Sequence, residues 1–96
     1  MKNTIIKIEY CTGCKWLHRA TWIAQELLTT FESELNGVLI CPSKTPGDFN
    51  LFLNDELLFS RKENGGFIDV APLKRLVRDK IAPNKNLGHI DKQKND

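Results

Sequence analysis

Ile5-Ile6-Lys7-Ile8-Glu9-Tyr10-Cys11-Thr12-Gly13-Cys14-Lys15-Trp16-Leu17 joins three local signals in one stretch. A β-branched run ends at Tyr10, two thiols flank a Thr-Gly spacer, and a helical stripe begins at once. Thr4, Ile6, Ile8 and Tyr10 alternate with Ile5, Lys7 and Glu9, which reads as a half-buried strand over residues 3–10. Across residues 14–34, Trp16, Leu17, Ala20, Ile23, Ala24, Leu27, Leu28 and Phe31 fall within an arc of about 140° at about 100° per residue. That spacing predicts an amphipathic helix, stopped by Asn36-Gly37. Two cysteines three positions apart across a tight turn can bring their sulfurs within bonding distance. The first turn of a helix presents unpaired N–H groups and a positive dipole end, which favour thiolate over thiol.

Outward from this stretch, Val38-Leu39-Ile40-Cys41 is a short apolar run ending at Pro42. It predicts a buried strand, parallel to the first through the helix crossover, with Cys41 an inert buried thiol. Ser43 to Asp48, with Pro46-Gly47, reads as a loop; a cis bond at Pro46 is left open. Phe49–Leu53 and Leu57–Arg61 read as strands of a hairpin around Asn54-Asp55-Glu56. Asn64-Gly65-Gly66 breaks the sheet. Asp69 is placed to cap a second helix that tolerates Pro72 in its first turn. Leu73, Leu76, Val77 and Ile81 form its buried stripe, with Lys74, Arg75, Arg78 and Lys80 largely on the wet side. Pro83 ends it. Residues 1–83 form one domain in this reading, and 84–96 a polar tail, mobile or lightly docked. The order β-α-β-β-β-α predicts an α/β, thioredoxin-like fold: a four-stranded mixed sheet with two helices.

The chain of 96 residues has room for one modest core. A net charge of +2 makes no case for nucleic acid as partner. No apolar run approaches the roughly 20 residues that span a bilayer. The Met1-Lys2-Asn3-Thr4 start has no apolar signal core. The expected location is therefore cytoplasmic. There, a Cys-x-x-Cys among three cysteines reads as metal-binding or redox-active rather than as a secreted scaffold.

With these elements in place, the sequence resembles the bacterial relatives of selenoprotein W, the SelT/SelW/SelH (Rdx) group of thioredoxin-like proteins. The resemblance covers residues 4 to about 90. It rests on Ile8-Glu9-Tyr10-Cys11-Thr12-Gly13-Cys14 and on Gln25-Glu26-Leu27-Leu28-Thr29-Thr30-Phe31. Further along it rests on Ser60-Arg61-Lys62 leading into Gly65-Gly66-Phe67, on Leu73-Lys74-Arg75-Leu76-Val77-Arg78-Asp79, and on Leu87-Gly88-His89. It implies a thioredoxin-like fold and a thiol redox role, with glutathione as reductant and co-substrate rather than bound cofactor. In animal members the second motif position is selenocysteine; here it is Cys14, which implies a slower, less acidic nucleophile. At Ile68 many bacterial relatives carry proline.

The expected function is thus a small thiol–disulfide oxidoreductase in redox homeostasis, glutathione- or thioredoxin-linked, acting on protein or low-molecular-weight thiols and disulfides. The alternative is a redox-sensitive binding module with little turnover. Cys11 and Cys14 belong to the site either way. The thioredoxin pattern makes Cys11 the attacking sulfur. The family pattern and the dipole of a first helical turn favour Cys14, and the weight falls there. Thr12 and Gly13 are the spacer, with Gly13 permitting the turn and leaving the sulfurs approachable. His18, four residues beyond Cys14 on one helix face, is either a pKa-tuning acid/base or a solvated surface histidine. Trp22 lies opposite the apolar stripe, as a partner contact or packed under a neighbouring segment. Gly65, Gly66 and Phe67 are a turn and an anchor that also stand as a candidate partner surface. Arg61 and Lys62, or Lys74 and Arg75, are candidates to attract carboxylates, or a solvated charged face. For a zinc site the remaining ligands would be Cys41, His18 and His89, which form no recognised spacing, so no metal is expected. A homo-oligomer is left open.

Overall fold

In the computed structural model, which describes residues 3–88, strand β1 (Ile5–Cys11) lies inside the sheet because Ile6 and Ile8 are wholly buried on one of its faces. It pairs in parallel with β2 (Gly37–Ser43) and antiparallel with β3 (Phe49–Leu53), which pairs antiparallel with β4 (Glu56–Ser60). The order is β2-β1-β3-β4. Between β1 and β2 runs α1 (Leu17–Thr30); after β4 come the one-turn helix α2 (Arg61–Asn64) and then α3 (Val70–Ile81). This is the expected mixed four-stranded sheet with its parallel crossover and hairpin.

Both long helices cover the same face. Ile6, Ile8, Leu51 and Phe59 from the sheet share one core with Ile23, Leu27 and Phe31 of α1 and with Leu73 and Val77 of α3. The hairpin closes through Asn54 and Asp55, at φ 46° and 76°. This pair of left-handed residues matches the twist of the flanking strands. The Asn54 side chain also accepts a hydrogen bond from the Ile5 N–H at 3.0 Å, tying the turn to β1.

Four expectations need correction. First, α1 begins at Leu17, not at residue 14. Lys15 at φ 60° interrupts the helical backbone after the second cysteine. Leu17 and Leu28, at the margins of the stripe, are exposed.

Second, β2 is an edge strand rather than a buried one. Only Val38 and Ile40 turn toward the core, while Leu39 is 53% exposed and Cys41, paired with Glu9, is half-buried. An edge tolerates proline, which is why Pro42 lies within β2 instead of ending it.

Third, Lys74 and Arg78 are buried against the expectation that they face water. α3 turns Leu73-Lys74 and Val77-Arg78 inward together. Long stems pack while the charges find partners. The Lys74 ammonium meets Glu26 of α1 at 2.9 Å. Arg78 donates to Asp79 and to the Lys85 carbonyl, both at 2.8 Å.

Fourth, Arg61 leaves the sheet. Ser60 ends β4 and caps α2, accepting the Glu63 N–H, and Gly65 closes the turn at φ 78°. At α3, Asp69 holds the cap position with its backbone carbonyl accepting from the Leu73 N–H; its side chain makes no capping bond. Past α3, Lys85 pairs with Glu34 at 3.2 Å and Leu87 packs on the core. His89 and the rest of the tail lie outside the described residues.

A one-sided core predicts contrasting costs. Leu27→Ala, under the helices, is expected to lose about 2–5 kcal/mol. Leu39→Ala, on the open sheet face, is expected to lose less than about 0.5 kcal/mol. Urea denaturation of both variants measures the difference.

Candidate active site

Cys11 is the last residue of β1, and Cys14 follows after one turn. The two are joined as a disulfide, with Cα atoms 5.3 Å apart, inside the span such a bond requires. The turn closes when the Lys15 N–H donates to the Thr12 carbonyl at 3.1 Å. Within it the Cys14 backbone N–H donates to Cys11 Sγ at 3.2 Å. Cys11 is 4% exposed, whereas Cys14 is half-buried and Thr12 and Gly13 are exposed. Gly13 does not supply the left-handed residue of the turn; Lys15 does. A Cβ on Gly13 would meet nothing within 4 Å, so this side of the loop is open.

The loop stands on a braced base. The Cys11 N–H donates to the Asp48 carbonyl at 2.8 Å, and the Thr12 N–H to the Ser43 carbonyl at 3.5 Å. Ser43 Oγ donates to one Asp48 carboxylate oxygen at 2.9 Å, and the Lys62 ammonium meets the other at 2.9 Å. Arg61 Nη1 donates to the Gly47 carbonyl at 3.4 Å. The bonds from Lys62 and then Ser43 hold the Asp48 carboxyl below the usual carboxylate range. The peptide bonds of this loop, that of Pro46 included, are trans.

Beside the base, Trp16, Phe49 and Phe67 meet edge to face, with centroids 4.9 Å apart for Trp16–Phe67 and 5.3 Å for Phe49–Phe67. Arg61 lies over Trp16, and Arg19, from the first turn of α1, over Phe67. Phe67 packs on Trp16, two residues past Cys14, while Gly65 and Gly66 shape the turn before it. Trp22 is 47% exposed on α1, and no ring contact joins it to Phe67. His18 is exposed on α1. Because Cys14 precedes that helix, the shared helix face proposed for the two does not exist. Lys74 and Lys62 are committed to Glu26 and Asp48. Among the described residues no three His, Cys, Asp or Glu side chains group to hold a metal ion.

A model of the Rdx family matches residues 5–79. The chain belongs to the Rdx family. A selenoprotein W-related protein from Vibrio cholerae has a crystal structure that superposes with TM-score 0.77 at 40% identity, over 82% of this chain and 98% of that one. A structure from Bordetella parapertussis gives TM-score 0.79 at 44% identity, over 83% and 100%. None of the curated proteins matches the chain. These findings establish a selenoprotein W-like, thioredoxin-like α/β protein of a redox-associated family, with its Cys-x-x-Cys at disulfide distance. Among the described residues of this Rdx protein, no helix is long and apolar enough to cross a membrane.

Sequence reasoning missed Arg19, Ser43 and Asp48. The loop that carries Asp48 has no periodicity to read, and Arg19 was one polar residue among several on α1. The base predicts an acid response. Folded Asp48 stays ionised below the ordinary carboxylate value of about 3.9, while the unfolded chain protonates there first. Its contribution to stability is thus full above that value and lost as pH falls below it. The stability gap between wild type and Asp48→Asn is expected to be widest near neutrality and to shrink below about pH 4. Denaturant midpoints across pH 3–7 measure it.

Proposed function

We propose that this Rdx protein is a thiol–disulfide oxidoreductase whose Cys11–Cys14 couple exchanges with protein or low-molecular-weight thiols. The observation that carries the proposal is the disulfide itself, set between a buried sulfur and a more open one at the end of β1. The reaction needs one sulfur that a substrate can reach and one held ready to displace it. Cys14 is the more accessible, so it is the attacking sulfur in this reading. The ground for this is exposure, since Cys14 lies outside α1 and gains nothing from being a first-turn residue. Cys11, which receives the Cys14 N–H, is the resolving sulfur.

In the oxidising direction, the Cys14 thiolate attacks one sulfur of a substrate disulfide. A Cys14–substrate bond forms and the substrate disulfide breaks, releasing one substrate thiolate. The Cys11 thiolate then attacks Cys14 Sγ, forming the intramolecular disulfide and releasing the second thiolate. The two electrons pass from the protein dithiol to the substrate, and the two protons from the cysteines end on the released thiols. Reversal by two glutathione molecules regenerates the dithiol, so glutathione is co-substrate and no bound cofactor is invoked. A cytoplasmic location belongs to the same proposal, because the glutathione pool there supplies the reductant. Thr12 and Gly13 keep the approach to Cys14 open. The switch-module alternative would centre on Trp22, Phe67 and the motif loop, where Trp22 and Phe67 share no ring contact, and no specific observation favours it.

A redox titration tests the proposal. Wild type equilibrated in glutathione buffers, trapped and weighed, is expected to show a reversible two-electron couple near the cytosolic poise of roughly −220 to −320 mV. Cys11→Ser is expected to accumulate a glutathione adduct on Cys14, and Cys14→Ser to accumulate far less on the buried Cys11. Absence of the intramolecular disulfide in wild type at every poise sinks the reading.

A further inference from the structure

Two guanidinium groups, Arg19 and Arg61, converge on one aromatic ring, Phe67, which packs on Trp16 two residues past Cys14. The Arg19 Cζ lies 3.8 Å from the Phe67 ring centre; the Arg61 Cζ lies 4.8 Å from that of Trp16 and 5.3 Å from that of Phe67. Cation–π attraction at these distances helps to hold each guanidinium against its ring. Neither arginine has a carboxylate partner among the described residues. Asp48, on the adjoining loop, is committed to Lys62 and Ser43. Both Nε atoms are buried without an acceptor, the only such side-chain atoms among the described residues. Arg61 spends one donor on the Gly47 carbonyl, and the Arg19 guanidinium makes no hydrogen bond among the described residues. Two positive charges with unspent hydrogen-bonding capacity therefore lie on the aromatic cluster that adjoins the Cys11–Cys14 loop. Trp16 is two residues past Cys14, and Gly47, held by Arg61, adjoins the residue whose carbonyl holds Cys11.

From this juxtaposition we propose that Arg19 and Arg61 form a carboxylate-binding subsite for the substrate of the Cys11–Cys14 couple. The inference rests on the exchange reading above and adds a specificity to it. The preferred partner is a thiol or disulfide that carries a carboxylate near its sulfur. A guanidinium recognises a carboxylate through paired N–H donors, and a charge-assisted bond of this kind is stronger than a neutral one. Ammonium groups would not substitute, because a lysine neither stacks as a plane nor offers the fork. The cluster also explains why an arginine of α1 and an arginine of α2 are brought to the same ring. Phe67 is the shared platform, and its position is set by Gly65 and Gly66 immediately before it.

The test compares two disulfides with the same reacting sulfurs: glutathione disulfide, and glutathione disulfide with its carboxyl groups esterified. Reduced wild type, Arg19→Gln, Arg61→Gln and Arg61→Lys are mixed with each, and the rate of Cys11–Cys14 disulfide formation is followed by trapping and mass. Wild type is expected to react about tenfold faster with the carboxylated form. Each glutamine variant is expected to lose most of that preference, read as the ratio of its own rates with the two disulfides so that any loss of the Arg61 brace on Gly47 cancels, and Arg61→Lys is expected to recover it only in part. Added salt is expected to lower the wild-type preference. Equal loss on both disulfides assigns the arginines a structural role and overturns the subsite, as does an unchanged preference in both glutamine variants. If reduced wild type forms no Cys11–Cys14 disulfide with either compound, the exchange reading fails, and the subsite fails with it.

Discussion

Cys11 gives its backbone N–H to the Asp48 carbonyl, and much of the site depends on that bond. β1 is an interior strand, so its end could continue along the sheet. Instead the bond to the β2–β3 loop holds Cys11 under cover while the chain turns outward to Cys14. The loop can do this only because it is itself braced: Asp48 is gripped by Ser43 from β2 and by Lys62 from α2, and Gly47 by Arg61. One buried sulfur and one more open sulfur, with a hydrogen bond from the second residue to the first, are the consequence. The asymmetry between the cysteines thus arises from contacts more than 30 residues away in sequence rather than from the motif itself.

This explains what the sequence could and could not reveal. Strong periodicities identified β1, α1 and α3, and Asn54-Asp55 identified the hairpin turn; these local signals were sufficient for the parallel crossover and the hairpin, but not for the strand order that makes β2 an edge or for the one-turn α2. The Cys-x-x-Cys at a strand end identified the thiols. The start of α1 was misplaced because Cys14 and Lys15 fit the neighbourhood of an apolar stripe, and no side-chain pattern announces that Lys15 adopts a left-handed backbone. That small displacement removes the helical relation between Cys14 and His18. It also replaces a dipole argument for Cys14 with one from exposure. Cys41 was read as buried from the apolarity of its run, but apolarity alone does not distinguish an interior strand from an edge.

The buried charges on α3 illustrate a further limit. Lys74 and Arg78 sit one position past Leu73 and Val77, so a helix wheel assigns them to the margin and composition assigns them to water. What takes them inside is the packing of α3 against α1, where Glu26 waits for Lys74, and against the chain after α3, where the Lys85 carbonyl waits for Arg78. A buried pair of this kind is weak evidence for stability, since desolvation opposes the attraction. Its clearer effect is to restrict how α3 can rotate on α1, because any other angle strands a cation in an apolar interface.

Phe67 is then the point at which four other parts of the chain meet. It reaches Trp16 from the redox loop, Phe49 from β3, Arg19 from α1 and Arg61 from α2. None of these contacts is local in sequence except by pairs, so a mis-set hairpin, crossover or α3 angle would each displace it. The aromatic ring is a packing element on its inner edges and a platform for charge on its face. A sheet covered on one side only has few positions where both are available, and the end of β1 beside the β2–β3 loop is one of them. Thiol chemistry placed there has a buried support and an electropositive rim within the same cluster of side chains.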